Sequence, residues 1–124
     1  MPINSLHILL VEDDFIIQKV TTKFLEVSGC SWTIASNGKE ALEETRRTNF
    51  DLILMDIMMP VMDGIEASEL ILAEKGNNAP PIVVLSAYDV PETRRRCEEV
   101  GIDDFVTKPI TLDKLKQIFR IWCS

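Results

Sequence analysis

What most constrains this chain is the alternation of two patterns along its length. Short apolar, β-rich runs stand at Leu6–Val11, Trp32–Ala35, Leu52–Met55, Ile82–Leu85 and, more weakly, Phe105–Val106. Between them, apolar residues recur every three or four positions, as Ile16, Val20, Phe24 and Val27 do, and Leu112, Leu115, Phe119 and Trp122. Helix starts are marked by Asn37, Asp63 and Asp89, each an N-cap type with a glutamate three residues on, at Glu40, Glu66 and Glu92. Gly29, Gly76 and Gly101 fall where the helical patterns stop, as C-terminal caps do. The result is five β-α units in succession. Strands apolar on both faces, alternating with helices, predict an α/β fold with a parallel sheet covered on both sides. Right-handed crossovers then leave a small doubly wound topology.

Composition narrows the function classes. The 124 residues suit one domain, 1–124, with a core over about 6–120. Thirteen basic against twenty acidic residues give a net charge of −7, which argues against direct nucleic-acid binding. Cys30, Cys97 and Cys123 lie far apart and His7 is the single histidine, so no zinc spacing exists. Free thiols in a reducing compartment are expected. No apolar run approaches the roughly 20 residues of a membrane span, and Met1–Ser5 carries no leader pattern. The expectation is a soluble cytoplasmic domain without membrane insertion.

In doubly wound folds, ligands bind beyond the carboxyl ends of the strands, where the strand order reverses. The first run ends in Glu12-Asp13-Asp14, the third in Asp56, the fourth in Ser86-Ala87, and the fifth leads into Thr107-Lys108-Pro109. Asp14 also fits the role of N-cap to the following helix. Glu12, Asp13 and Asp56 would repel one another, and Lys108 together with a divalent cation would neutralise them. A hard, oxygen-liganded ion suits such a site, Mg²⁺ before zinc or copper. Mg²⁺ favours phosphate oxygens, so the set points to phosphoryl chemistry with one carboxylate as nucleophile.

These residues carry a resemblance. Leu9 to Asp14, then Asp56-Ile57-Met58-Met59-Pro60-Val61-Met62-Asp63-Gly64, then Ser86-Ala87, then Lys108-Pro109 resemble a response-regulator receiver domain of two-component signalling. The likeness spans roughly Leu6 to Phe119 and is strongest to receivers of hybrid sensor histidine kinases. It implies a (βα)5 flavodoxin-like fold of strand order 2-1-3-4-5. It also implies that Asp56 accepts a phosphoryl group from a phosphohistidine. Mg²⁺ would be held by Asp13, Asp56 and the backbone carbonyl of Met58, with Glu12 acting through water. Lys108 would pair with Asp56, Ser86 would bond a phosphoryl oxygen, and Phe105 would be the aromatic that turns inward. The Lys108–Pro109 peptide would be cis. Implied partners are a histidine kinase or histidine phosphotransfer protein, with output around the fourth helix, fifth strand and fifth helix.

Other readings are weaker. A haloacid-dehalogenase-type phosphatase places its nucleophile in an Asp-x-Asp motif after the first strand, which Glu12-Asp13-Asp14 does not match. A pseudo-receiver, a binding module that is not phosphorylated, usually lacks the acceptor, the acidic pair or the lysine, and this chain has all three. The expectation is thus a phosphoacceptor without separate substrate turnover. Arg94-Arg95-Arg96 reads as a solvated helix face balanced by Glu98 and Glu99, and Met58 and Tyr88 as bulky neighbours of the acceptor.

Overall fold

A computed structural model describes residues 5–123; the leader reading at Met1–Ser5 therefore falls almost wholly outside the described residues. Strands β1 (His7–Val11), β2 (Ser31–Ala35), β3 (Leu52–Asp56), β4 (Ile82–Ser86) and β5 (Asp104–Thr107) alternate with helices α1 (Phe15–Ser28), α2 (Gly38–Arg47), α3 (Gly64–Lys75), α4 (Pro91–Val100) and α5 (Leu112–Trp122). All neighbouring strands are parallel, in the order β2-β1-β3-β4-β5. The fold class is as expected. Three strands run one residue further than the apolar pattern, so that Asp56, Ser86 and Thr107 are themselves ladder residues.

Alternate strand residues serve opposite faces, as the period of two requires. Leu9, Val11, Ile53, Met55, Ile82 and Val84 pack with the α2–α4 side, where Ile65, Ile71 and Cys97 meet them. Ile8, Leu10, Leu52, Leu54, Val83 and Leu85 pack with α1 and α5 through Leu25, Leu115, Ile118 and Phe119. A strand buried on both faces cannot slip by one residue without exchanging two cores, so register is strongly specified. That register decides which side chain ends each strand.

The helix ends follow their caps. Asp14 Oδ1 accepts from the backbone N–H of Ile16 and Ile17, so its capping role holds. Asn37 and Asp63 accept from the amides of Glu40 and Glu66. Gly29 and Gly101 close α1 and α4 in the left-handed conformation, at φ 87° and 96°. Gly76 ends α3 differently, leading into a 3-10 turn over Gly76–Asn78. Asp89 corrects the sequence reading, because Val90 is the N-cap of α4 and makes no side-chain capping bond. The reason is Pro91. A proline pushes the residue before it out of the helical region, so Val90 cannot be a first helical residue and α4 starts at Pro91. Asp89 instead pairs with Arg94.

One apolar stripe faces the wrong way for a core. Ile16, Val20 and Val27 of α1 are exposed, Ile16 by 71%, whereas Phe24 of the same stripe packs half-buried on the core and Thr21 and Leu25 are buried. Phe15 beside them is 65% exposed. Cys30 and Cys97 are buried and Cys123 half-buried, all free.

Candidate functional site

The strand order reverses at β1, which lies between β2 and β3. The crevice of a doubly wound sheet opens at such a point, beyond the carboxyl ends of the strands. Glu12 follows β1, Asp56 ends β3, Ser86 ends β4 and Lys108 follows β5. Glu12 and Asp56 are almost fully buried, at 1% and 3% exposure, while Asp13 is exposed to solvent above them.

Lys108 closes the group. Its Nζ lies 2.9 Å from Asp56 Oδ1 and 3.1 Å from Glu12 Oε1. Burial pushes the Glu12 carboxyl up to about 7, with the Asp56 charge adding to the effect and the Asp14 amide and Lys108 opposing it. Burial also works against the Lys108 charge, but the hydrogen bonds and charges of Asp56 and Glu12 outweigh it and raise its pKa. Glu12 is held at both ends: Oε2 accepts from the Asp14 amide at 3.2 Å, and its own N–H donates to Ala35 O at 3.0 Å. Oε1 is buried, and its partner is the Lys108 ammonium at 3.1 Å.

Carboxylate oxygens of Glu12, Asp13 and Asp56 lie within 4.8 Å of one another. An all-oxygen donor set of this charge, with one exposed member through which water can stay bound, fits a hard divalent cation. Three of the four residues that sequence reasoning named for a metal, Glu12, Asp13 and Asp56, are thus brought together. Met58, whose backbone carbonyl completes the expected ligand set, lies two residues beyond the end of β3 and is 68% exposed. Tyr88 is likewise exposed, at 66%. Met59 and Met62 pack on the core below.

Ser86 is buried, and its hydroxyl is engaged with its own loop. Oγ donates to Tyr88 O at 2.8 Å and accepts from the Tyr88 amide at 3.2 Å. Lys108 is tied to the same strand end, its N–H donating to Ser86 O at 2.7 Å, and the Lys108–Pro109 peptide is cis as expected. Phe105 is half-buried on β5, and the Arg94 guanidinium carbon sits 4.5 Å from its ring centroid. Arg94 is held in turn by Asp89, while Arg95 pairs with Glu92 and Glu99. All three arginines are exposed, so the run is a solvated helix face, with Arg94 also reaching the Phe105 ring. Sequence reasoning misses the place of Arg94 over the Phe105 ring.

A parallel five-stranded sheet of this order, with buried acids at its reversal point and a lysine across from them, defines a doubly wound α/β module with an acidic site at the carboxyl edge of its sheet. The chain belongs to the response regulator receiver domain family, whose pattern matches residues 8–120. It is 42% identical over 125 residues to hybrid signal transduction histidine kinase B of Dictyostelium discoideum, covering 91% of this chain and 6% of that protein. Across such curated relatives the chain spans about a tenth of the length or less. Among solved structures it is similar to the receiver domain of a Pseudomonas aeruginosa sensor histidine kinase with magnesium coordinated in its active-site cleft (33% identity, TM-score 0.87, covering 95% of this chain and 97% of that one). It is also similar to a Saccharomyces cerevisiae complex of the phosphotransfer protein Ypd1 with the receiver domain of the response regulator Ssk1 (33% identity, TM-score 0.87, 96% and 90% covered).

Proposed function

We propose that this receiver domain is a phosphorylatable switch in which Asp56 is the acceptor. The observation that carries the reading is the buried Asp56 carboxylate held by Lys108 at 2.9 Å beside a second buried acid. An oxygen of Asp56 attacks the phosphorus of a phosphohistidine; the new P–O bond forms as the P–N bond breaks, and the electron pair returns to the imidazole. Phosphoryl transfer asks the protein chiefly for positioning and charge neutralisation. Lys108 supplies one positive charge for the transferring oxygens. Asp13, Asp56 and the Met58 carbonyl would hold Mg²⁺, with Glu12 acting through water, and the ion would supply the remaining neutralisation. The magnesium-bearing relative supports this choice of ion. Ser86 leaves its bonds to Tyr88 for a phosphoryl oxygen, and the 86–90 loop moves with it. Asp89 and Arg94 carry that movement to Phe105, so an output surface around α4, β5 and α5 changes shape.

The donor is a histidine kinase or a histidine phosphotransfer protein. Support for its docking place comes from the exposed α1 stripe. Ile16 and Val20 line an apolar groove with Pro109 and Ile110 that reaches Lys108, so a partner seated there sets its histidine at the site mouth. Among the described residues no helix is long and apolar enough to cross a membrane, and a cytoplasmic location fits a phosphohistidine donor. Incubating the chain with a phosphorylated histidine phosphotransfer protein tests the reading. Label should pass to this chain and not to Asp56→Asn; equal labelling of the variant would refute the assignment.

A further inference from the structure

The backbone that aims Lys108 lies outside regular structure, since β5 ends at Thr107 and α5 begins at Leu112. Its amide is fixed by Ser86 O at 2.7 Å. The flanking carbonyls are fixed by one side chain. Lys114, in the first turn of α5, donates from Nζ to Thr107 O at 2.9 Å and to Pro109 O at 3.1 Å, the residues on either side of Lys108. Its own amide is capped by Thr111 Oγ1 at 3.1 Å. Because β5 is the edge of the sheet, the Thr107 carbonyl finds this partner outside the ladder. Hydrogen bonds from an ammonium are stronger than those between neutral groups, so a single residue staples the start of α5 to both flanks of Lys108.

A lysine at this place works against the helix. The amino-terminal end of a helix carries partial positive charge and disfavours a cation there. A residue that breaks a local preference while making two directed bonds to a functional loop answers to the site rather than to the helix. We infer that Lys114 is a positioning residue for phosphoryl transfer: it braces the 107–109 backbone so that the Lys108 ammonium stays against Asp56. The inference rests on the phosphoacceptor reading above. Displacing a reacting-site group by even about 1 Å costs up to about a hundredfold in rate, which gives such a brace its leverage.

Two variants separate the brace from a general role in folding. Lys114→Met keeps the aliphatic stem and removes the donor, while Lys114→Arg keeps charge and donors. Lys114→Met should slow phosphorylation of Asp56 by acetyl phosphate about tenfold at saturating Mg²⁺, with Mg²⁺ affinity within about twofold of wild type. Hydrogen exchange at the Lys108 amide, read by NMR, should speed up in Lys114→Met, and Lys114→Arg should restore both values. In a Lys108→Met background, Lys114→Met should change the rate no further. Wild-type rate and wild-type amide protection in Lys114→Met would overturn the inference, as would equal slowing with and without Lys108. Should the wild-type chain accept no phosphoryl group, the phosphoacceptor reading fails, and the Lys108 amide alone still decides whether the brace exists.

Discussion

Gly64 packs its α-carbon against the backbone of Asp56 so closely that a Cβ there would lie 2.1 Å from the Asp56 carbonyl oxygen and 2.9 Å from its carbonyl carbon. Both partners are main chain, so no side-chain rotation relieves the overlap. The Gly64 amide also donates to Ile57 O at 2.9 Å, seating the start of α3 against the end of β3. Gly64→Ala is expected to cost at least about 2 kcal/mol, the scale of overpacking at a rigid contact. Urea unfolding reads this as a lower midpoint at unchanged slope. The same variant should slow phosphorylation, because the displaced backbone carries the acceptor.

The Glu12 carboxyl gives the metal-free protein a pH dependence of known sign. Its pKa rises from 4.5 to about 7 on folding. Between those values the folded chain keeps a proton that the unfolded chain has released, so stability falls as pH rises through the window and stays lower above it. With chelator present, the melting temperature should therefore decrease from pH 5 toward pH 8, beyond what Glu12→Gln shows. Added Mg²⁺ stabilises by mass action and should raise the melting temperature more at pH 8 than at pH 5.5, where Glu12 is protonated. A Mg²⁺ response that is the same at both pH values would contradict this account.

The exposed apolar face of α1 sets a third expectation. Charged residues at Ile16 and Val20 should weaken a partner's docking far more than a small donor's access to Asp56. For Ile16→Glu with Val20→Glu, the ratio of transfer from a phosphohistidine protein to labelling by acetyl phosphate should fall at least about tenfold, the loss expected for a buried apolar anchor. An unchanged ratio would place the donor on another face.

Much of this architecture is legible in the sequence. Strand ends can be read because two-sided burial forces continuous apolar runs, and the polar residue that ends such a run must stand at the sheet edge. Glu12, Asp56 and Ser86 are found that way, while Lys108 stands one residue beyond the half-buried β5. Asp14, Asn37 and Asp63 are legible as caps because capping is local. Asp89 misleads because a proline two residues on overrides the capping pattern. The α1 stripe marks a helix correctly while giving no sign that Ile16 and Val20 face solvent, since periodicity reports that a face is apolar and not what covers it. Arg94 over Phe105 and Lys114 on the Thr107 and Pro109 carbonyls depend on how helices lean against β5, and side-chain reach of that kind has no sequence signature. The hydroxyl of Ser86 is also turned to the Tyr88 backbone, a local choice among rotamers.

The central claim is that Asp56 takes up one phosphoryl group with help from a divalent cation. Its most direct test is intact-mass measurement after incubation with acetyl phosphate and Mg²⁺, with peptide mapping of the product. The account predicts a gain of one phosphoryl group per chain, mapped to Asp56, lost in Asp56→Asn and lost with excess chelator. A chain that stays unmodified, or one that is modified equally well in Asp56→Asn, would contradict it.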